Sequence, residues 1–185
     1  MIYKVFWIFK SVFYSFLFKK FSFPSFIASP IFLQGINRVE INKRVRIYPG
    51  ARIETHNKGR IIFEENVGIA QNFHITSSEG LIIIGKNTTI AANSYVTNID
   101  HEYQKIDVSI LEQPYIIKDT KIGDNCFIGF GVAIQAGTIL GKQCIVGSNS
   151  VVRGEFPDYC VIAGTPAKIL KKFNFETNQW ERYSN

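Results

Sequence analysis

From residue 116 onward an aliphatic side chain returns at every sixth position: Ile116, Ile122, Ile128, Ile134, Leu140, Val146 and Val152. A period of six matches neither the 3.6-residue face of a helix nor the two-residue alternation of a strand. It describes short strands, each followed by a sharp turn, with one aliphatic per strand pointing inward. Glycine follows the aliphatic at Gly123, Gly129, Gly141 and Gly147, and the fourth position after it is small or branched, at Thr120, Cys126, Val132, Thr138, Cys144 and Ser150. Three such units close one triangular coil, and coils stack at the roughly 4.8 Å spacing of neighbouring strands. Cys126 and Cys144 then stack in adjacent coils as small interior fillers, not as nucleophiles.

A less regular series precedes this one, at Ile47, Ile53, Phe63, Ile69, Ile75, Ile84, Ile90 and Val96, with small turn extensions near residues 57–59 and 77–80. Between Val96 and Ile116 the period is interrupted, so residues 97–115 must loop out of the prism; long loops on rigid scaffolds are where function concentrates. The predicted organisation is an N-terminal aromatic and basic segment (1–35), a repeat solenoid (36–156) with its looped excursion, and an exit segment and tail (157–185) holding a short strand and a basic turn or helix. The class is all-β. With 185 residues there is room for one core, and 46% hydrophobic residues exclude a disordered chain. Three cysteines, Cys126, Cys144 and Cys160, without a C-x-x-C pair argue against a disulfide framework or a zinc ribbon and fit a reducing compartment.

The net charge of +6 is unevenly placed: residues 1–60 carry 11 Lys/Arg against 2 Asp/Glu, while the remainder carries 10 against 13. The same end holds 9 of the 16 Phe. Cations interleaved with bulky apolar side chains point to a membrane surface and not to nucleic acid. Residues 1–18 are broken by Lys10 and closed by Lys19-Lys20, too short and too charged for a spanning helix. On a helix, Lys4, Ser11, Ser15 and Ser22 form a narrow polar stripe beside a wide apolar face. That face either rests on an inner membrane through residues 1–20, or packs on the protein's own body or a sister subunit; the sequence leaves both open.

The hexapeptide period, the excursion containing TNIDHEY and the exit VIAGTPAKIL together resemble the left-handed parallel β-helix acyltransferases, over roughly residues 40–178. Among these the chain is similar to the galactoside and maltose acetyltransferase group and to the sugar O-acetyltransferases of O-antigen and capsule synthesis. The resemblance implies a left-handed parallel β-helix, a homotrimer with active sites in the clefts between prisms, acetyl-CoA as co-substrate, no metal, a saccharide acceptor that is free, nucleotide-linked or lipid-linked, and a cytoplasmic protein.

It also implies roles. His101, one of three histidines with His56 and His74, matches the family's general base, and an imidazole suits removal of a proton from an attacking alcohol. Asp100 and Glu102 flank it as acids that could orient the ring or meet the acceptor. Asn72, His74 and Asn93 lie in stretches resembling acceptor-side segments, although asparagine also serves left-handed corners. For the pantetheine arm and nucleotide of the donor the matching positions are Gly129, Phe130, Gly147, Ser148, Ala163, Gly164 and Thr165, with Lys168, Lys171 and Lys172 near phosphates. Glycine there also serves turn geometry. Competing readings are amino-sugar N-acylation, an antibiotic acetyltransferase of the same fold, a γ-type carbonic anhydrase, whose converging imidazoles the spacings here do not reproduce, and a non-enzymatic scaffold.

Overall fold

The computed structural model describes residues 2–183, without the side chains of residues 2–5. Its body is the expected left-handed parallel β-helix. The chain winds through three faces, and each inward position stacks on its counterpart one coil away. On the first face the column runs Phe21, Ile41, Phe63, Ile84, Ile122, Leu140, Phe156. The second runs Ile27, Ile47, Ile69, Ile90, Ile128, Val146, Ile162. The third runs Leu33, Ile53, Ile75, Val96, Ile134, Val152. Most of these side chains are wholly buried, and their lateral contact is the main stabilising term of the prism.

The corners follow from residue type. Asparagines 57, 66, 72, 87, 93, 125 and 149 take left-handed backbone angles, which Asn tolerates better than other non-glycine residues. Corner amides of successive coils then hydrogen-bond one another, as in Asn66 to Asn87 to Asn125. Buried hydroxyls at the turns bond carbonyls of the adjoining coil, for instance Thr88 to Gly123 and Thr138 to Val152. After the first face Gly123 is obligatory, because a Cβ there would lie 2.3 Å from the Gly141 carbonyl oxygen.

Three boundaries differ from expectation. The solenoid begins at Lys20–Phe21, not at residue 36, since the strands Lys20–Phe21, Phe26–Ile27 and Phe32–Gln34 pair with the next coil. Ile116, although on the period, is half-buried in an antiparallel pair outside the prism, and the regular core column starts at Ile122. Among its described residues the exit segment holds no helix: Cys160–Gly164, Ala167–Asn174 and Gln179–Arg182 form an antiparallel ribbon on the second face. The basic residues Lys168, Lys171 and Lys172 all lie on its long middle strand.

The N-terminal helix, Ile2–Tyr14, lies across the Phe26–Ile27 strand. Of its polar stripe, Ser11 is turned inward and buried, its hydroxyl donating to the Trp7 carbonyl at 2.8 Å, whereas Ser15 stays exposed. Trp7 packs on Phe26 and Tyr48, and Tyr14 on Phe18 and Phe21. Trp7 thus lies on the side of the helix that packs on the prism, which the small Ser11 lets approach closely. Phe6, Phe9, Val12, Phe13 and Phe16 remain exposed, each by more than half. The side chain of Lys4 lies outside the described residues.

Candidate active site

The excursion leaves the third face after Thr97 and starts with an antiparallel pair, Ile99–His101 against Tyr115–Ile117, with His101 opposite Tyr115. The loop between them is organised around the buried Gln113 amide, which accepts from Lys105 N and donates to the carbonyls of Lys105 and Val108. This local scaffold carries His101 to the edge of the third face, its ring edge-on to Tyr115 with centroids 4.8 Å apart.

A cavity of about 420 Å³ opens there, walled by His101, Ile99 and Tyr115 from the excursion and by His56, Thr76, Ser78 and Tyr95 from the third face. The remaining histidine, His74, is not part of that wall; its ring lies 5.0 Å from the Tyr95 ring and its Nε2 2.9 Å from Thr76 Oγ1. All three histidines are thus gathered on one face. The mixture of imidazoles, hydroxyls and two tyrosine rings suits a polar, hydroxyl-rich ligand with an apolar ring face. A slightly larger hollow, about 510 Å³, lies on the C-terminal ribbon beside Lys172 and Tyr183 and holds no imidazole or nucleophile.

His101 Nδ1 is buried, and among the described residues no group bonds to it and fixes the tautomer from that side. Neither flanking acid does so. Asp100 Oδ1 accepts from the His101 backbone N–H and its Oδ2 pairs with Arg153 at 3.0 Å, tying the excursion to the end of the solenoid. Glu102 accepts from the amides of Tyr103 and Gln104 and shapes the loop. Asn72 and Asn93 occupy corners, where Asn72 donates to Asn93 at 3.1 Å; the structure places both apart from the cavity wall.

Glu54 was not apparent as a candidate from the sequence. It is only 5% exposed although strand alternation places it on the outer side, because Arg52, His56, His74 and Thr76 cover it. Its Oε1 takes Arg52 Nε and His74 Nε2, the latter at 3.1 Å, and its Oε2 lies 3.4 Å from His56 Nε2. Burial alone would raise this carboxyl's pKa; the hydrogen bonds from Arg52 and His74 outweigh it and hold the group below its ordinary value. The signal was available: placing Ile53, Ile75 and Val96 in one inward column puts Arg52, His74 and Tyr95 in one outward row. Among the described residues no His/Cys/Asp/Glu group is arranged to hold a metal ion.

The expected donor positions form a run along the upper coils and ribbon. Gly129 stacks beneath Gly147, and Gly147 beneath Ala163, whose ribbon partner is Lys168; Lys171 pairs with Val161. A Cβ at Gly129 would meet Ser148 N at 2.7 Å, so coil stacking by itself requires glycine there. Phe130 is about half exposed, and the Thr165 hydroxyl points to the Asn149 carbonyl at 3.5 Å. Cys126, Cys144 and Cys160 are buried in a column, with Cys144 and Cys160 sulfurs 3.5 Å apart. Hydrogen bonding to Cys144 and burial push the Cys126 and Cys160 thiols up, away from reactive thiolates.

A stacked triangular prism with an imidazole-walled cavity under one long excursion defines a class, the β-helix transferases. Within it, the model of the bacterial transferase hexapeptide (six repeats) matches residues 119–154. An Escherichia coli K12 relative named as the lipopolysaccharide biosynthesis O-acetyl transferase WbbJ is 34% identical over 164 residues, covering 84% of this chain and 83% of its own length. The chain belongs to the hexapeptide-repeat acyltransferases. Two solved structures share its fold. The polysialic acid O-acetyltransferase OatWY has a TM-score of 0.56 at 26% identity, with 90% of this chain and 88% of that one covered. The N-acyltransferase AntD of Bacillus cereus, in complex with dTDP and 3-hydroxybutyryl-CoA, has a TM-score of 0.77 at 15% identity, with 91% and 90% covered.

Proposed function

We propose that the chain transfers an acetyl group from acetyl-CoA to a hydroxyl of a saccharide, a precursor of an O-antigen or capsule, with His101 as general base. The observation that carries this reading is the cavity in which His101 faces a wall of hydroxyls and tyrosine rings. The acceptor oxygen attacks the thioester carbonyl while His101 takes its proton; the C–O bond forms, the C–S bond breaks, and the proton passes to the departing CoA sulfur. A backbone amide near Gly129 or Phe130 would receive the developing oxyanion. The pantetheine arm would follow Gly129, Phe130, Gly147, Ser148, Ala163, Gly164 and Thr165, with Lys168 and Lys171 at the nucleotide phosphates. A homotrimer would place these donor residues beside the His101 cavity of a neighbouring prism. The similarity to WbbJ supports an O-linked acceptor of the polysaccharide type. The test is CoA release from acetyl-CoA across methyl glycosides, sugar nucleotides and lipid-linked saccharides, with product mass confirming an O-acetyl ester. No ester on any acceptor, or an amide product, would reject the reading.

The exposed Phe6, Phe9, Phe13 and Phe16, with Lys10 on the same helix and Lys19 and Lys20 after it, support attachment to an anionic inner-membrane surface. Among the described residues no helix is long and apolar enough to cross a membrane. Co-sedimentation of the full chain with anionic vesicles, lost in Phe9→Ser/Phe13→Ser and weakened by salt, is the expected result. Equal recovery of parent and variant would reject it.

A further inference from the structure

The transfer step above uses one imidazole, yet the cavity has a second in its wall, and a buried carboxylate stands behind it. Glu54 is packed under Arg52, His56, His74 and Thr76, with Gln34 in register on its other flank. An ionised carboxylate only accepts hydrogen bonds, so an imidazole nitrogen turned toward it must carry the hydrogen. His74 Nε2 lies 3.1 Å from Oε1 and His56 Nε2 lies 3.4 Å from Oε2. In the neutral ring of His56 the proton then sits on Nε2, and Nδ1 is left as its bare acceptor. His56 and His74 are each a little over one-third exposed, but His56 lines the cavity and His74, beside Tyr95 and Thr76, does not.

We propose that Glu54 is a positioning residue that fixes the Nε2–H tautomer of His56, so that His56 Nδ1 accepts a hydrogen bond from a second hydroxyl of the acceptor. The inference rests on acetyl transfer taking place in this cavity. It assigns a division of labour: His101 serves the hydroxyl that is acetylated, and His56 holds a neighbouring one. The site then selects acceptors that present two hydroxyls, a saccharide over a simple alcohol, because an acceptor without the second donor leaves Nδ1 unpaired.

The carboxylate–imidazole arrangement can be read without any acceptor. In the full chain with ¹⁵N-labelled histidine, the His56 imidazole, assigned by its loss in His56→Ala, is expected in the Nε2–H form. In Glu54→Gln, whose amide both donates and accepts, that preference should vanish. An unchanged tautomer would overturn the proposal. With acetyl-CoA as donor and methyl glycosides as acceptor probes, His56→Ala should raise acceptor KM about fivefold to tenfold, the worth of one hydrogen bond, with kcat and the KM for acetyl-CoA little changed. His56→Gln, which keeps an acceptor, should recover most of that affinity. A loss confined to kcat, an equal rise in both KM values, or no recovery in His56→Gln would overturn it. If Glu54→Gln fails to fold, the two His56 variants carry the test. If the parent acetylates no glycoside, the transfer reading fails, while the histidine spectra still decide whether Glu54 controls His56.

Discussion

The coils below the excursion and those above it share one core and differ on their outer surface. In the row that runs up the outside of the third face, the lower coils place Phe32, Arg52, His74 and Tyr95, and the upper coils continue with Ala133 and Val151. The regular repeats, residues 122–152, thus have small or apolar residues where the irregular ones have an imidazole, a guanidinium and a phenol. Inward, the columns are apolar and largely buried in both halves. The chemistry stands where the period is broken, because an extended corner lengthens a strand past its inward residue and adds an outward position, as at His56 and Ser78.

Substitutions can break this division. The largest effect is expected for His101→Ala, which should fold as the parent and lose a factor of about 10² to 10⁴ in kcat, the usual cost of a missing general base. Near-parental kcat would remove His101 from the mechanism. Next come the core columns: Ile134→Ala above the excursion and Ile53→Ala below it should each cost about 2–5 kcal/mol in urea unfolding, since both side chains are fully buried. A much smaller cost at Ile53 would show that the irregular half is loosely packed, and the contrast would then extend to the interior. The smallest effect is expected at Gln113→Ala, which removes the amide that organises the excursion. Amide exchange within residues 103–112 should accelerate about tenfold or more, with global stability little changed. If global stability falls in step, the excursion is part of the core and not an appendage of it.

Much of this was legible in the amino-acid sequence. A branched residue every six positions dictates one inward contact per strand, and the later columns stand where the period put them. The first coil was hidden although Phe21, Ile27 and Leu33 keep the same spacing, because the aromatic residues around them read equally well as a helix. Ile116 shows the opposite failure: it keeps the period but its backbone pairs with Asp100 in the excursion, and hydrogen bonding outranks spacing. His101 was singled out by the family resemblance, which implies a general base where the excursion opens. Glu54 and His56 were not, since one coil here takes more residues than the next and the outward neighbours emerge only after every corner extension has been placed. The asparagine corners carried two meanings in the sequence, and the Asn72–Asn93 bond supports the conformational one.

The termini of the prism set a different problem. A parallel solenoid has no intrinsic length, because each coil offers its backbone donors and acceptors to another, and an uncovered end is a template for a further chain. Here the second face is closed at both ends by dissimilar devices: the N-terminal helix lies across Phe26–Ile27, and the antiparallel ribbon turns back over Cys160–Gly164. In the language of polymers these are chain terminators, and the number of coils is encoded in them more than in the repeats. The ribbon is bonded into the sheet, while the helix is held by side-chain packing around Trp7 and Tyr14. The side of the helix that packs on the prism through Trp7 and Tyr14 differs from the side that exposes Phe6, Phe9, Phe13 and Phe16, so one short segment closes an end and offers an aromatic surface at the same time.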